Sequence, residues 1–131
     1  VIAVSELRDV VQDVADAGHL PCAIVFSLAG RLGVSPHAVR EAADAAGVRV
    51  SLCQLGLFGY DAFGERRATR ALPLVPEGLR AALAAAAVDG HLPCAAAWRL
   101  ADEGGVPRFL FGSIAETIGV RISRCQLGCF E

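Results

Sequence analysis

A chain of 131 residues that is 54% hydrophobic and only 20% charged is too apolar for disorder, and its formal net charge of −2 gives no overall attraction for a polyanion. All twelve basic side chains are arginines, so any contact with nucleic acid has to come from a local patch. The most apolar run, residues 79–88, is half the length of a membrane span and contains Arg80, so no membrane partner is expected.

The first residue is Val1, which marks a processed end or a boundary inside a longer chain. Ser5 is a suitable N-cap for a helix over residues 6–17, with Leu7, Val10, Val11 and Val14 at helical spacing and Gly18 beyond them. His19 and Leu20 precede a proline and should be extended. Pro21 then opens a second helix that buries Ile24, Val25, Leu28 and Leu32 and stops at Gly33. Ser35 caps and Pro36 starts a third helix over 36–46, with Val39, Ala42, Ala43 and Ala46 inward and Gly47 at its end. The alternation in VRVSLCQ predicts a strand.

This unit is built twice. HLPCAIVFSLAGRLGVSPHAVREAADAAGVRVSLCQLGLF, beginning at His19, returns without a gap from His91, at a constant offset of 72 residues. About half of the aligned positions are identical. In the second copy Pro76 and Pro93 open helices, Gly105-Val106-Pro107 makes the turn, residues 108–118 form the third helix, and RISRCQ is the strand. The expected division is a first unit over 1–58, a connecting stretch over 59–75 and a second unit over 76–131. Each unit is small enough to be marginal alone, so the halves should share an interface. A stretch of that length between units is usually structured, and a hairpin pairing the Cys53 region with residues 71–75 would fit it.

The segment LAGRLGVSPHAVREAADAAGVRV resembles the helix-turn-helix of bacterial repressors and winged-helix regulators. Ala29 is small where the helices cross, Gly33 takes the turn, and Val34 and Val39 plug the angle between them. The resemblance covers most of residues 5–75 and the matching part of the second copy. It implies a mainly α fold with small β wings, as two tandem winged-helix-like three-helix units packed together. It also implies a regulatory protein whose partner is double-stranded DNA and which forms a homodimer. In such proteins the third helix lies in the major groove. Its outward residues here are His37, Arg40, Glu41 and Asp44, with Arg66, Arg67 and Arg70 at the tip of the wing as phosphate ligands. The second copy has Phe109, Gly112, Ser113 and Glu116 at the outward positions and Pro107 at the turn, a set suited to packing or self-association. A protein-interaction module without DNA binding is the alternative.

Histidine and cysteine also recur. His19, Cys22 and Cys53 in the first copy correspond to His91, Cys94 and Cys125 in the second, which adds Cys129 where the first has Leu57. Four N and S donors with short spacings are the ligand types of a tetrahedral zinc site. Buried small hydrophobes and redox-sensing thiols are the other two readings of the same residues. An odd number of cysteines and no secretory leader pattern lead us to expect a cytoplasmic protein with reduced thiols. The chain has no P-loop, dinucleotide glycine pattern, HExxH or serine elbow, so no enzymatic activity and no obligatory cofactor are expected.

Overall fold

The computed structural model describes residues 2–61 and 65–131. The first half comprises α1 (Val4–Val14), β1 (His19–Pro21), α2 (Cys22–Leu32), α3 (Pro36–Ala45) and β2 (Arg49–Ser51). The second half repeats the order with α4 (Glu77–Ala86), β3 (His91–Pro93), α5 (Cys94–Glu103), α6 (Arg108–Ile118) and β4 (Arg121–Ser123). The chain is therefore mainly α, in two repeated units with a βααβ pattern.

Local chemistry sets most of the boundaries. Gly33 closes α2 in the left-handed conformation (φ 66°), and the Ser35 hydroxyl accepts the Ala38 N–H at 3.1 Å to cap α3. The first helix starts earlier than its sequence indicated. Leu7 donates its N–H to the Ala3 carbonyl at 3.0 Å, so Ser5 lies inside the first turn and caps nothing.

Each unit carries a two-stranded parallel sheet, in which β1 pairs with β2 and β3 with β4. Parallel strands need a crossover, and the α2–α3 and α5–α6 pairs supply it. The hairpin expected between the Cys53 region and residues 71–75 does not form. No strand lies in 71–75; instead the Leu72 N–H goes to the Thr117 hydroxyl on α6 at 2.8 Å.

The interior consists of two clusters, and each is completed by the other half. Leu7, Val11, Leu20, Val25 and Val39 of the first unit enclose Leu127, which is 1% exposed. Leu83, Leu92, Phe111 and Ile114 of the second enclose Cys53 and Leu55. The loops that follow β2 and β4 have thus changed places. Equivalent side chains also meet each other: Phe26 packs on Trp98 at 4.6 Å between centroids, and Phe58 on Phe130 at 6.2 Å. Contacts between positions related by the 72-residue offset describe an approximate two-fold relation, like the self-complementary interface of a homodimer.

Close backbone approach fixes the exchanged loops. At Gly112 of α6 a Cβ would stand 1.8 Å from the Leu55 carbonyl oxygen. The equivalent first-half position is Arg40, whose Nε donates to the Leu127 carbonyl at 2.9 Å. Leu127→Ala should cost ~2–5 kcal/mol in urea unfolding, and amide exchange should speed up in α1–α3 more than in α4–α6. Gly112→Ala should be destabilising by ~1–3 kcal/mol through overpacking. Gly30→Ala on the open face of α2, where a Cβ meets nothing within 4 Å, should stabilise by ~0.5–1 kcal/mol.

Candidate functional site

The chain turns through 113° between α2 and α3, within the range of helix-turn-helix pairs. Ala29 and Val39 are buried at the crossing, and Val34 packs beside them. The outward face of α3 carries the four residues expected there. Arg40 NH1 meets Asp44 Oδ2 at 2.5 Å, and its NH2 donates to His37 Nε2 at 3.1 Å. An acceptor at Nε2 leaves the His37 proton on Nδ1, which faces Glu41 Oε1 at 2.7 Å. Arg40 is therefore spent on its own helix and on Leu127, with its side chain only 19% exposed. His37, Glu41, Asp44 and Ala45 are the exposed residues of α3.

The matching face of α6 is partly covered, with Gly112 and Ser113 buried and Phe109 and Glu116 still exposed. Residues 65–72 run along it: the Arg70 N–H goes to the Ser113 hydroxyl at 3.2 Å, and the Leu72 N–H to Thr117. Arg67 NH2 pairs with Glu116 Oε2 at 2.5 Å, and Tyr60 stacks edge-on against Phe109 at 5.9 Å. Ser113 was expected on the outward face as a packing residue, whereas Thr117 was not singled out from the sequence. Their signal was the departure between copies, since the first half has Glu41 and Ala45 at the same places.

The arginines expected at a wing tip lie in this covering segment. Arg66 is exposed, Arg67 holds Glu116, and Arg70 pairs with Glu65 while donating to the Thr69 carbonyl at 3.1 Å. A different arginine organises the junction of the halves. Arg108 lies 3.9 Å above the Trp98 ring, donates to Gln54 Oε1 at 2.9 Å and pairs with Asp102 at 2.8 Å. Hydrogen bonding to Arg108 holds the Asp102 carboxyl below the usual carboxylate range.

Cys22, Cys53 and Cys94 are buried free thiols. Burial pushes Cys22 up from 9.0 to about 12, with the neighbouring Cys53 adding to the rise. Burial likewise raises Cys53 and Cys94, against hydrogen bonds from the Leu57 backbone at one and the Gln126 side chain at the other. Among the described residues no group of three or more His, Cys, Asp and Glu side chains is arranged to hold a metal ion. Neither His19, Cys22 and Cys53 nor His91, Cys94, Cys125 and Cys129 are brought into such a group.

Cys125 and Cys129 differ from the three buried thiols. Cys125 is half-buried and Cys129 exposed. The Cys129 thiol and the backbone N–H groups of Leu127, Gly128 and Cys129 favour the Cys125 thiolate. The Cys129 hydrogen bond does most to lower Cys125 from 9.0 to about 6, and the same pairing raises Cys129.

His19 and Arg49 are register partners in the first sheet, as His91 and Arg121 are in the second. Beside the first pair lies a cavity of about 250 Å³, and beside the second an open groove of about 740 Å³ rimmed by Arg67 and Glu116. No helix among the described residues is long and apolar enough to cross a membrane by itself. No known protein family, curated protein or solved structure matches the chain.

The buried thiols give stability a pH dependence of known sign. A thiol whose pKa is higher when folded contributes fully below its unfolded value of 9.0, and that contribution is lost as pH climbs toward the folded value of about 12 at Cys22. Thermal midpoints should accordingly fall above pH 9.0, and the fall should be shallower in Cys22→Ala than in the parent chain.

Proposed function

We propose that this chain is a helix-turn-helix-type interaction module, acting in a reducing compartment such as the cytoplasm, whose open α3 face takes an arginine-bearing segment of a partner protein. The observation that carries this is the relation between the two third helices. On α6, Glu116 holds Arg67 of a segment laid along the helix. Asp44 is the equivalent of Glu116, and on α3 it is exposed next to an exposed Glu41. Glu41 and Asp44 are held by His37 and Arg40 of the same helix, so an arginine of the partner would share or displace those contacts, and the net charge of −2 works against phosphate. The two halves already pair within one chain as subunits of a homodimer would, so the proposal needs a single chain per partner.

DNA binding is the second reading, and the 113° turn with its capped α3 favours it. In that winged-helix-like arrangement His37 and Arg40 face base edges while Arg66, Arg67 and Arg70 take phosphates. It requires Arg67 and Arg70 to leave Glu116 and Glu65.

One titration followed by amide shifts separates the two. The probe for the first reading is the peptide ERRATRALP, the sequence of residues 65–73. It should move the amides around His37, Glu41 and Asp44, and the Glu41→Ala/Asp44→Ala double variant should weaken it by about two- to fivefold. No movement on α3 would sink that reading. Retention of a mixed-sequence duplex at ~50 mM salt, abolished by replacing Arg66, Arg67 and Arg70 with alanine, would put the DNA reading in its place.

A further inference from the structure

The loop after β4 contains chemistry that an interaction surface does not require. It repeats the loop after β2 as CQLGCF against CQLGLF, with Cys129 replacing Leu57. Both loops are anchored by a buried leucine, Leu127 in one and Leu55 in the other, so the extra thiol adds nothing to the packing of that anchor. In the first loop the Cys53 sulfur also receives backbone N–H groups, from Leu55, Leu57 and Phe58. Burial dominates there, and Cys53 stays a thiol. The second loop differs in both respects that govern thiol reactivity, because Cys125 is only half-buried and a second thiol lies against it.

The turn brings the two sulfurs together. The Gly128 N–H donates to the Cys125 carbonyl at 2.9 Å, the bond of a β-turn, which keeps the first and last Cα within ~7 Å. Gly128 is left-handed at φ 80°, which turns the chain back so that Cys129 directly precedes the residue, Phe130, that bonds to Cys125. The Cys125 N–H closes the loop on the Phe130 carbonyl at 3.1 Å. Backbone N–H groups of the turn favour the Cys125 thiolate, and the Arg40 guanidinium adds positive charge near Cys129.

We propose that Cys125 and Cys129 form a redox-active dithiol that closes reversibly into an intraloop disulfide, with a small-molecule disulfide as oxidant. The Cys125 thiolate attacks one sulfur of that disulfide, forming a mixed disulfide and expelling one thiolate. Cys129 then loses its proton to solvent and attacks the Cys125 sulfur, and the second thiolate leaves. The two protein thiols are oxidised to one disulfide, and the small disulfide is reduced to two thiols. The depressed Cys125 pKa of about 6 supports its assignment as the attacking group. The inference does not depend on which partner binds α3.

The test uses the whole folded chain, incubated with oxidised glutathione and then denatured and alkylated. Of the five cysteines, three should remain alkylatable. The peptide that starts after Arg124 should contain the Cys125–Cys129 bond, and dithiothreitol should restore both thiols. Cys129→Ser, a change at an exposed position, should keep glutathione on Cys125 because nothing displaces it. In Cys125→Ser, Cys129 should take glutathione at least about tenfold more slowly. Retention of all five free thiols in the parent chain, or a bond from either residue to a buried cysteine or to another chain, would overturn the proposal.

Discussion

Two leucines hold the molecule together by standing in each other's half. Leu55 leaves the first unit to fill the second core, and Leu127 leaves the second to fill the first. Burying a leucine contributes about 1.5–3 kcal/mol, a large share of what a unit of this size can assemble by itself. The exchange also sets the position of everything else at the junction. The Leu55 carbonyl requires glycine at position 112, and the Leu127 carbonyl engages Arg40, whose side chain is left only 19% exposed. A demand of the interior therefore determines the charge on the α3 surface.

The same constraint explains why duplicated halves present different faces. Each third helix has an outward strip, and the strip of α6 is occupied by the connection between the units through Ser113, Glu116 and Thr117. On the strip of α3, Glu41 and Asp44 stay exposed and are held only by His37 and Arg40 of the same helix. One copy has become scaffold while the other remains available, a division that the backbone repeat alone does not reveal. The loop thiols diverge similarly: Cys53 is sealed in, whereas Cys125 sits at the surface beside a neighbour that the first copy lacks.

What could be read from the amino-acid sequence was what local chemistry determines. Gly33, Ser35 and Pro36 define the turn between α2 and α3 through backbone conformation and capping, and they need no distant partner. The 72-residue offset made the repeat plain and implied a shared interface. Strand direction was not legible, because three-residue strands carry no signature of parallel or antiparallel pairing; the direction follows from the helices between them. The exchange of Leu55 and Leu127 was hidden for a related reason. The two loops are nearly the same sequence and fit either core, so only connectivity in space decides. The roles of Arg67 and Arg70 were missed because ion pairing with Glu116 and Glu65 depends on where the connecting segment lies, which pattern does not encode.

The exchanged leucines also impose an order on synthesis. A half that carried all of its own core could finish folding while the remainder of the chain was still being made. Here the first cluster has a vacancy until residue 127 leaves the ribosome, long after α1, α2 and α3 have emerged. Until then the first half exposes apolar surface, which invites premature pairing between neighbouring nascent chains. The second cluster, by contrast, finds Leu55 already made when its own helices emerge. The half made first waits for the half made last.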